Sequence, residues 1–248
     1  MRELDTGRPA VVLDRATKRF GKVTALSDLS LTIESGSIAL LGRNGAGKST
    51  MLNLVSGVML PTEGAVLVGG HVPGTPEATG LIARQLEFPG TAGFLNPRKI
   101  SRLLAMTSEE VGRLQENLRG FDVPDRPMSE LSRGNQLKVA LSVAFARQRP
   151  ILLLDEPTSG LDIFGVDVLT GMIEDRTRRG LVTIGATHQP TLTPELFDRA
   201  IVIEGGSLLF DGSLPSLLDL APDTPENAAP TARLASAYIE LLKGNKQI

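Results

Sequence analysis

The chain has 248 residues, of which 41% are hydrophobic and 22% are charged, a composition typical of a globular protein with one large domain or two small ones. The formal net charge is -2, so the composition gives no basic footprint, and no nucleic-acid partner is expected. The absence of cysteine and the presence of only 2 histidines exclude thiol catalysis, disulfides and metal sites built from several such ligands.

The first part of the chain predicts two strands, at residues 10–16 and 25–33, after a loose tail at residues 1–9. Between the strands lie Lys18, Arg19, Phe20 and Gly21. These four residues predict a turn that exposes the aromatic ring of Phe20.

Residues 42–50, GRNGAGKST, predict a loop that binds phosphate. An apolar strand at residues 37–41 precedes them and a helix at residues 48–54 follows, which is the context that the GxxxxGK[ST] pattern requires. Glycines let the backbone approach a polyphosphate, and the N–H groups at the start of the helix then point at the anion. We expect Lys48 to reach the phosphates and the hydroxyl of Ser49 to bind Mg²⁺. The predicted cradle consists of Gly42, Arg43, Asn44, Gly45, Ala46, Gly47, Lys48, Ser49 and Thr50.

The central part of the chain predicts further strands at residues 64–70 and 79–85, the second ending at Gln85. From about residue 87 to residue 148 the pattern changes and predicts a helical insert. Its helices are predicted at residues 98–106, 108–119 and 131–148, with Ser108 as the N-cap of the second helix.

The last part of the chain alternates between strands and helices. Apolar strands are predicted at residues 151–155 and 181–187, a helix at residues 162–179 and a hairpin at residues 200–204 and 208–210. This alternation predicts an α/β fold with a mostly parallel sheet that is covered on both faces. After a tether at residues 221–230, a final helix at residues 231–243 is expected to dock on its own domain, and docking on a partner subunit is the alternative.

Carboxylates and a histidine follow directly after two of the apolar strands. Asp155 and Glu156 end the strand at residues 151–155, and His188 follows the strand at residues 181–187. Ligands of parallel sheets bind beyond the carboxyl ends of the strands, so these side chains should converge on the phosphate loop. We expect Asp155 to hold Mg²⁺ opposite Ser49 and Glu156 to take a proton from an attacking water.

On these motifs the chain resembles the ATP-binding subunit of an ABC transporter, of the exporter-like ABC-2 type, over residues 10–243. Residues 42–49 resemble the Walker A loop, residues 151–156 the Walker B strand with its catalytic glutamate, and residues 159–162 the D-loop. His188 resembles the switch histidine that contacts the γ-phosphate, Phe20 the aromatic that stacks on adenine, and Gln85 the glutamine that also reaches Mg²⁺. Glu87 is an alternative polar contact to Gln85. The resemblance implies a P-loop NTPase fold with an antiparallel β subdomain beside the parallel sheet and the helical insert.

The family's signature, LSGGQ, is matched incompletely. Residues 131–136 read LSRGNQ, so Ser132 and Gly134 are kept, while Arg133 and Asn135 replace a glycine and a glutamine. A serine hydroxyl and a glycine N–H at a helix start still suit an anion. By resemblance, Ser132, Gly134 and Asp162 act across an interface with a second ATPase subunit, in a homodimer or a heterodimer.

The resemblance implies that the chain binds ATP and Mg²⁺ and hydrolyses ATP to drive a separate polytopic membrane permease, and export is the expected direction. It implies a cytoplasmic protein that is peripheral on the inner face of the cell membrane. Residues 85–99, which include Phe88, Phe94 and two prolines, are the expected contact with the permease. The alternative function is a soluble ABC-type ATPase with no transport partner.

Overall fold

The computed structural model describes residues 10–88, 93–189, 196–221 and 228–244. Their strands form two sheets, one with three strands and one with six. The two sheets contribute to a shared apolar core, in which Leu13 and Leu29 of the small sheet belong to the same cluster as Ile38 and Ile184 of the large sheet. The small sheet therefore packs beside the strand that leads into the phosphate loop.

The small sheet is antiparallel and has the order β2-β1-β4. Its strands are β1 (Val11–Phe20), β2 (Val23–Ile33) and β4 (Glu63–Val68). The prediction of a turn at residues 18–21 was wrong, because β1 continues to Phe20 and the chain reverses at Gly21 and Lys22. Polar residues are tolerated in this stretch of β1 because its side chains face solvent, where Arg19 lies 2.7 Å from Glu63 of the neighbouring strand.

The large sheet has the order β5-β6-β7-β3-β8-β9, and β9 runs antiparallel to β8 while the other neighbours are parallel. This sheet, the antiparallel subdomain and the helices confirm the predicted fold class. The strands are β3 (Ser37–Leu41), β5 (Ile82–Arg84), β6 (Ile151–Asp155), β7 (Val182–Thr187), β8 (Arg199–Glu204) and β9 (Ser207–Ser213).

The register of the parallel strands brings their carboxyl ends to one edge. Leu41 at the end of β3 pairs with Thr187 at the end of β7, and Asp155 at the end of β6 pairs with Ala186. All residues of β3 and β7 are buried, as expected for strands covered on both faces. The phosphate loop, the carboxylates and His188 therefore leave the sheet at the same edge.

The helices cover the large sheet and form the insert. They are α1 (Lys48–Val55), α2 (Pro76–Thr79), α3 (Pro97–Leu103), α4 (Ser108–Gly120), α5 (Arg133–Ala146), α6 (Ile163–Arg178), α7 (Leu214–Leu218) and α8 (Pro230–Gly244). A 3₁₀ turn at Met128–Glu130 precedes α5. None of the helices in the described ranges is long and apolar enough to cross a bilayer.

Three local predictions in the central part of the chain were wrong. The N-cap of α4 is Thr107 and not Ser108, since the Thr107 side chain accepts from the Glu110 N–H and the Glu110 carboxylate accepts from the Thr107 N–H. Helix α5 begins at Arg133 with Ser132 as its N-cap, two residues later than predicted. Of the strand predicted at residues 79–85, Thr79 belongs to helix α2, which Pro76 favours, and β5 is confined to Ile82–Arg84.

The C-terminal helix α8 docks on its own chain, as predicted. Leu234 and Ala237 are fully buried in a cluster that also contains Leu217 of α7 and Val202 of β8. Residues 222–227 of the predicted tether and residues 89–92 of the predicted permease contact lie outside the described residues.

Candidate functional site

The phosphate loop closes between β3 and α1 because two of its glycines take positive φ angles. Gly45 has a φ of 81° and Gly47 a φ of 113°, values that L-residues with a side chain rarely adopt. A Cβ on Gly47 would also lie 2.6 Å from the carbonyl oxygen of Ala25. The loop is tightened by the Ala46 N–H, which donates to the Arg43 carbonyl oxygen over 3.1 Å. Only glycine fits at position 47, where the loop leads into the helix.

Lys48 stands at the first position of α1, with its ammonium group inside the loop. The side chain is buried, and Nζ donates to the carbonyl oxygens of Gly42 (2.7 Å) and Arg43 (3.2 Å). Burial lowers the pKa of Lys48, and the nearby carboxylates of Glu156 and Asp155 oppose that shift. A positive charge is thus held where a polyphosphate in the loop would meet it.

Asp155, Ser49 and Gln85 meet at the end of β6. The Ser49 hydroxyl donates to Oδ2 of Asp155 over 3.1 Å, and Nε2 of Gln85 donates to the Asp155 carbonyl oxygen over 3.0 Å. Burial raises the pKa of Asp155, and the hydrogen bond from Ser49 counters it. Oε1 of Gln85 is buried and finds no hydrogen-bond partner among the described residues. Hydroxyl, carboxylate and free amide oxygens are ligands that Mg²⁺ accepts, so the three side chains fit such an ion.

Glu156 is held by the end of β7. Its Oε2 accepts from the Thr187 hydroxyl over 3.0 Å, and its Oε1 accepts from the His188 N–H over 3.0 Å. Nδ1 of His188 lies 2.6 Å from the same Oε1, which places the ring proton on Nδ1 because a carboxylate only accepts. Glu156 has a φ of 48°, a left-handed backbone that is uncommon outside glycine. The carboxylate is therefore fixed in position by three hydrogen bonds.

The loop and the carboxylates enclose one cleft of about 300 Å³. Its lining consists of Ala25, Asn44, Gly45, Ala46, Gly47, Lys48, Ser49, Thr50, Asp155 and Glu156. Phe20 lies elsewhere on the small sheet, 49% exposed, with Nζ of Lys18 5.3 Å from the ring centroid. An exposed ring of this kind is free to stack on a planar ligand.

The signature residues gather at a second place, where the starts of α5 and α6 meet. A Cβ on Gly134 would lie 2.5 Å from the carbonyl oxygen of Gly160, so the two backbones touch. Nζ of Lys138 lies 3.2 Å from Oδ2 of Asp162, and Oδ1 of Asp162 accepts from the Gly165 N–H over 2.7 Å. These hydrogen bonds and the charge of Lys138 lower the pKa of Asp162.

The structure thus brings most of the predicted residues together and leaves the signature apart. Neither Ser132 nor Gly134 lines the cleft within the described part of the chain. Thr187 and Lys138, which contact Glu156 and Asp162, were not predicted from the sequence. The position of Thr187 beside His188 at the end of an apolar strand was a usable signal, whereas Lys138 has no motif of its own.

A strand, a glycine-rich loop and a helix N-terminus, with a carboxylate pair on a nearby strand of the same sheet, define a P-loop NTPase. The ABC transporter family model matches residues 26–159. The chain is 33% identical to the cobalt import ATP-binding protein CbiO of Rhodobacter capsulatus, over 85% of this chain and 81% of that protein. It is 30% identical to the ABC transporter ATP-binding protein NatA of Bacillus subtilis, over 79% of this chain and 85% of that protein.

Solved structures agree with the fold. The ATP-binding subunit of an ABC transporter superposes with a TM-score of 0.81 at 24% identity, covering 94% of this chain and 99% of that chain. A dimeric ATP-binding cassette in a post-hydrolysis state, bound to ADP and Pi, gives a TM-score of 0.70 at 24% identity, over 82% of this chain and 98% of that chain. The chain belongs to the ABC transporter family and is an ATP-binding, ATP-hydrolysing cassette of it.

Proposed function

We propose that the chain binds Mg-ATP between its own phosphate loop and the signature of a second ATPase subunit, and that hydrolysis there drives a membrane permease. The observation that carries this proposal is the separation of the two half-sites. The cleft at the phosphate loop includes no signature residue within the described part of the chain, and Ser132 and Gly134 lie at a separate helix start. A second subunit can complete both halves.

Each residue has a chemical role in this proposal. Lys48 moves from the loop carbonyls to the phosphates, and the free N–H groups of the loop bind the same oxygens. Ser49, Asp155 and Gln85 hold Mg²⁺, which supplies charge neutralisation for the transferred phosphoryl group. Glu156 accepts a proton from the attacking water. His188 can donate to the γ-phosphate through Nε2 only when the ring is protonated, because Nδ1 already holds the proton that faces Glu156.

The proposed partners rest on family membership and on the names of relatives. Relatives with a named cargo include the cobalt import protein and the methionine import ATP-binding protein MetN of Cereibacter sphaeroides, 32% identical over 86% of this chain and 66% of that protein. These names favour import, whereas the variant signature favours export. Work with a membrane permease would put the chain at the cytoplasmic face of the cell membrane. We keep the direction of transport as an outcome to be measured in vesicles that contain the partner permease.

Dimer formation tests the composite site. Glu156→Gln removes the proposed base but keeps the shape of the side chain, so the variant should bind Mg-ATP without hydrolysing it and accumulate as a dimer. Size-exclusion chromatography with light scattering would report the mass with and without Mg-ATP. A monomer at saturating Mg-ATP would overturn the homodimer, and the same experiment with a co-purified sibling subunit would test the heterodimer.

Purification from membranes distinguishes the transport subunit from a soluble ABC-type ATPase, the second candidate. The tagged chain is isolated from detergent-solubilised membranes of its own cells and the bound proteins are identified. Recovery with a polytopic membrane protein supports the transport function. Recovery without one, from membranes in which the chain is abundant, would favour the soluble ATPase.

A further inference from the structure

The outer side of the phosphate loop, away from the cleft, rests on the β8–β9 hairpin. The Gly206 N–H in the hairpin turn donates to the Ala46 carbonyl oxygen over 3.0 Å. A Cβ on Gly42 would strike the carbonyl oxygen of Ile203 in β8. The hairpin therefore touches the loop at two backbone positions, and its residues can affect how the loop meets a phosphate.

Arg43 is the one long cationic side chain of this loop besides Lys48, and it points toward the hairpin. Its Nη1 lies 4.0 Å from Oε1 of Glu204, the last residue of β8. The Arg43 side chain is 65% exposed, and Asn44 is the first residue of the loop that lines the cleft in the described part of the chain. The guanidinium group therefore stands outside the cradle, although its backbone is part of it.

Glu204 is held in an unfavourable setting for a carboxylate. Its side chain is 25% exposed, and its Oε2 is buried without a hydrogen-bond partner in the ranges that the structure describes. An unpaired buried carboxylate oxygen lowers stability. The stability of the hairpin does not explain why this residue is charged. A glutamine has the same shape and would place no charge at this partly buried position.

We propose that Glu204 is a positioning residue of the nucleotide site, which keeps the guanidinium group of Arg43 on the outer side of the phosphate loop and so limits the affinity for phosphate. An arginine binds phosphate oxygens through two parallel N–H donors, more tightly than most neutral donors do. Released from Glu204, Arg43 would turn toward the bound phosphates and strengthen their binding. The inference rests on the proposed nucleotide site.

The test measures the affinity for Mg²⁺-tripolyphosphate, a probe that contacts the loop without a base, by calorimetry on the full chain. Glu204→Gln should tighten binding by up to about fivefold, the effect of a partly exposed ion pair. The double variant with Arg43→Gln should bind no more tightly than Arg43→Gln alone, because no guanidinium group is then left to turn toward the phosphates. The matched control is Asp211→Asn, which breaks an ion pair with Arg199 at 2.6 Å on the same hairpin and should leave the affinity unchanged.

The contrary outcomes are separable. If Glu204→Gln tightened binding equally with and without the Arg43→Gln substitution, a general charge effect would replace the role of Glu204 through Arg43. If Asp211→Asn changed the affinity as much as Glu204→Gln does, Glu204 would affect binding only through the stability of the hairpin. A wild type that binds neither Mg²⁺-tripolyphosphate nor Mg-ATP would overturn both the nucleotide site and this inference. Normal wild-type binding with no change in Glu204→Gln would overturn the inference alone.

Steady-state kinetics and one spectroscopic signal complete the test. Glu204→Gln should lower KM for Mg-ATP without raising kcat, because Glu204 touches no reacting atom. Tyr238 of α8 is the single tyrosine of a chain without tryptophan, so ultraviolet absorbance reports its ionisation alone. The pKa of Tyr238 is raised to about 12, mainly by burial, and the charge of Glu204 contributes to the rise while that of Arg43 opposes it. That pKa should fall in Glu204→Gln and rise in Arg43→Gln. An unchanged pKa in both variants would contradict the placement of the ion pair near Tyr238.

Discussion

Two helix starts, of α1 and of α5, carry the two halves of the proposed nucleotide site, and they are built differently. Helix α1 follows Gly47, and among the described residues no side chain caps its first N–H groups. Helix α5 follows Ser132, whose side chain accepts from the Asn135 N–H over 3.3 Å. The first helix therefore offers free donors around a buried lysine, while the second satisfies one of its own donors. The start of α1 can therefore bind an anion as it stands, whereas the start of α5 must first give up an internal hydrogen bond.

The largest expected effect lies beside α1. Glu156→Gln should lower ATP hydrolysis by about 10²–10⁴-fold, the usual contribution of a general base, while Mg-ATP binding persists. Phosphate release and equilibrium dialysis measure the two quantities. Glu174→Gln is the control, because Glu174 is 61% exposed on α6 and pairs with Arg178. Hydrolysis at the wild-type rate in Glu156→Gln would assign the base to another residue.

The next effect sharpens the difference between the two helix starts. Lys48→Ala removes the buried ammonium group from the loop and should weaken Mg-ATP binding by about 10- to 100-fold, as expected for hydrogen bonds to a charged group. Arg133→Ala at the start of α5 should leave ATP binding to the monomer unchanged, since Arg133 is exposed. Calorimetry on dilute protein checks both. A comparable loss in Arg133→Ala would mean that the two starts act on one nucleotide within a single chain.

A stability effect tests the contact that holds the second half-site. Gly134→Ala would place a Cβ 2.5 Å from the Gly160 carbonyl oxygen and should lower the free energy of unfolding by about 1–3 kcal/mol. Gly112→Ala on α4 is the matched control, because its Cβ would meet nothing within 4 Å and should stabilise the helix by up to about 1 kcal/mol. Urea unfolding measures both variants. Equal stabilisation by the two substitutions would show that α5 and the loop at Gly160 are not in contact.

The smallest effect concerns the C-terminal helix, behind the first half-site. The folded pKa of Tyr238, about 12, lies above its ordinary value of 10.0, so the folded state keeps the phenol proton where the unfolded state releases it. The stability that Tyr238 contributes is present below pH 10.0 and declines as pH rises toward about 12. Tyr238→Phe should flatten this part of the stability profile, measured by urea unfolding at several pH values. An unchanged profile would mean that α8 leaves the phenol in solvent.

Much of the fold and of the first half-site could be predicted from the sequence, because both depend on patterns within short stretches of chain. The apolar strands β3 and β6 were predicted with their observed bounds, since residues buried on both faces leave an unbroken apolar run. Strand β1 was predicted too short. Its end carries the polar residues Lys18 and Arg19, and pairing with Val23 and Thr24 of β2 keeps this end extended.

Cap positions and contacts between distant segments of the chain were harder to predict from local sequence patterns. Thr107 and Ser108 are both good N-cap residues, and the choice between them depended on which one the Glu110 carboxylate could reach. Thr187 hydrogen-bonds to Glu156 because of the register of β6 against β7, and its place beside His188 at the end of an apolar strand was the one local signal for this contact.

The chemistry of the phosphate loop follows from the sequence alone, because glycines, lysine and serine at fixed spacing act over a few residues of backbone. The carboxylates at the end of an apolar strand were determined in the same way. Other contacts follow only from the tertiary fold: Thr187 with Glu156, Gly134 with Gly160, and Arg43 with Glu204. These contacts depend on strand order and helix packing, which arise from the burial of the whole core and not from any one segment.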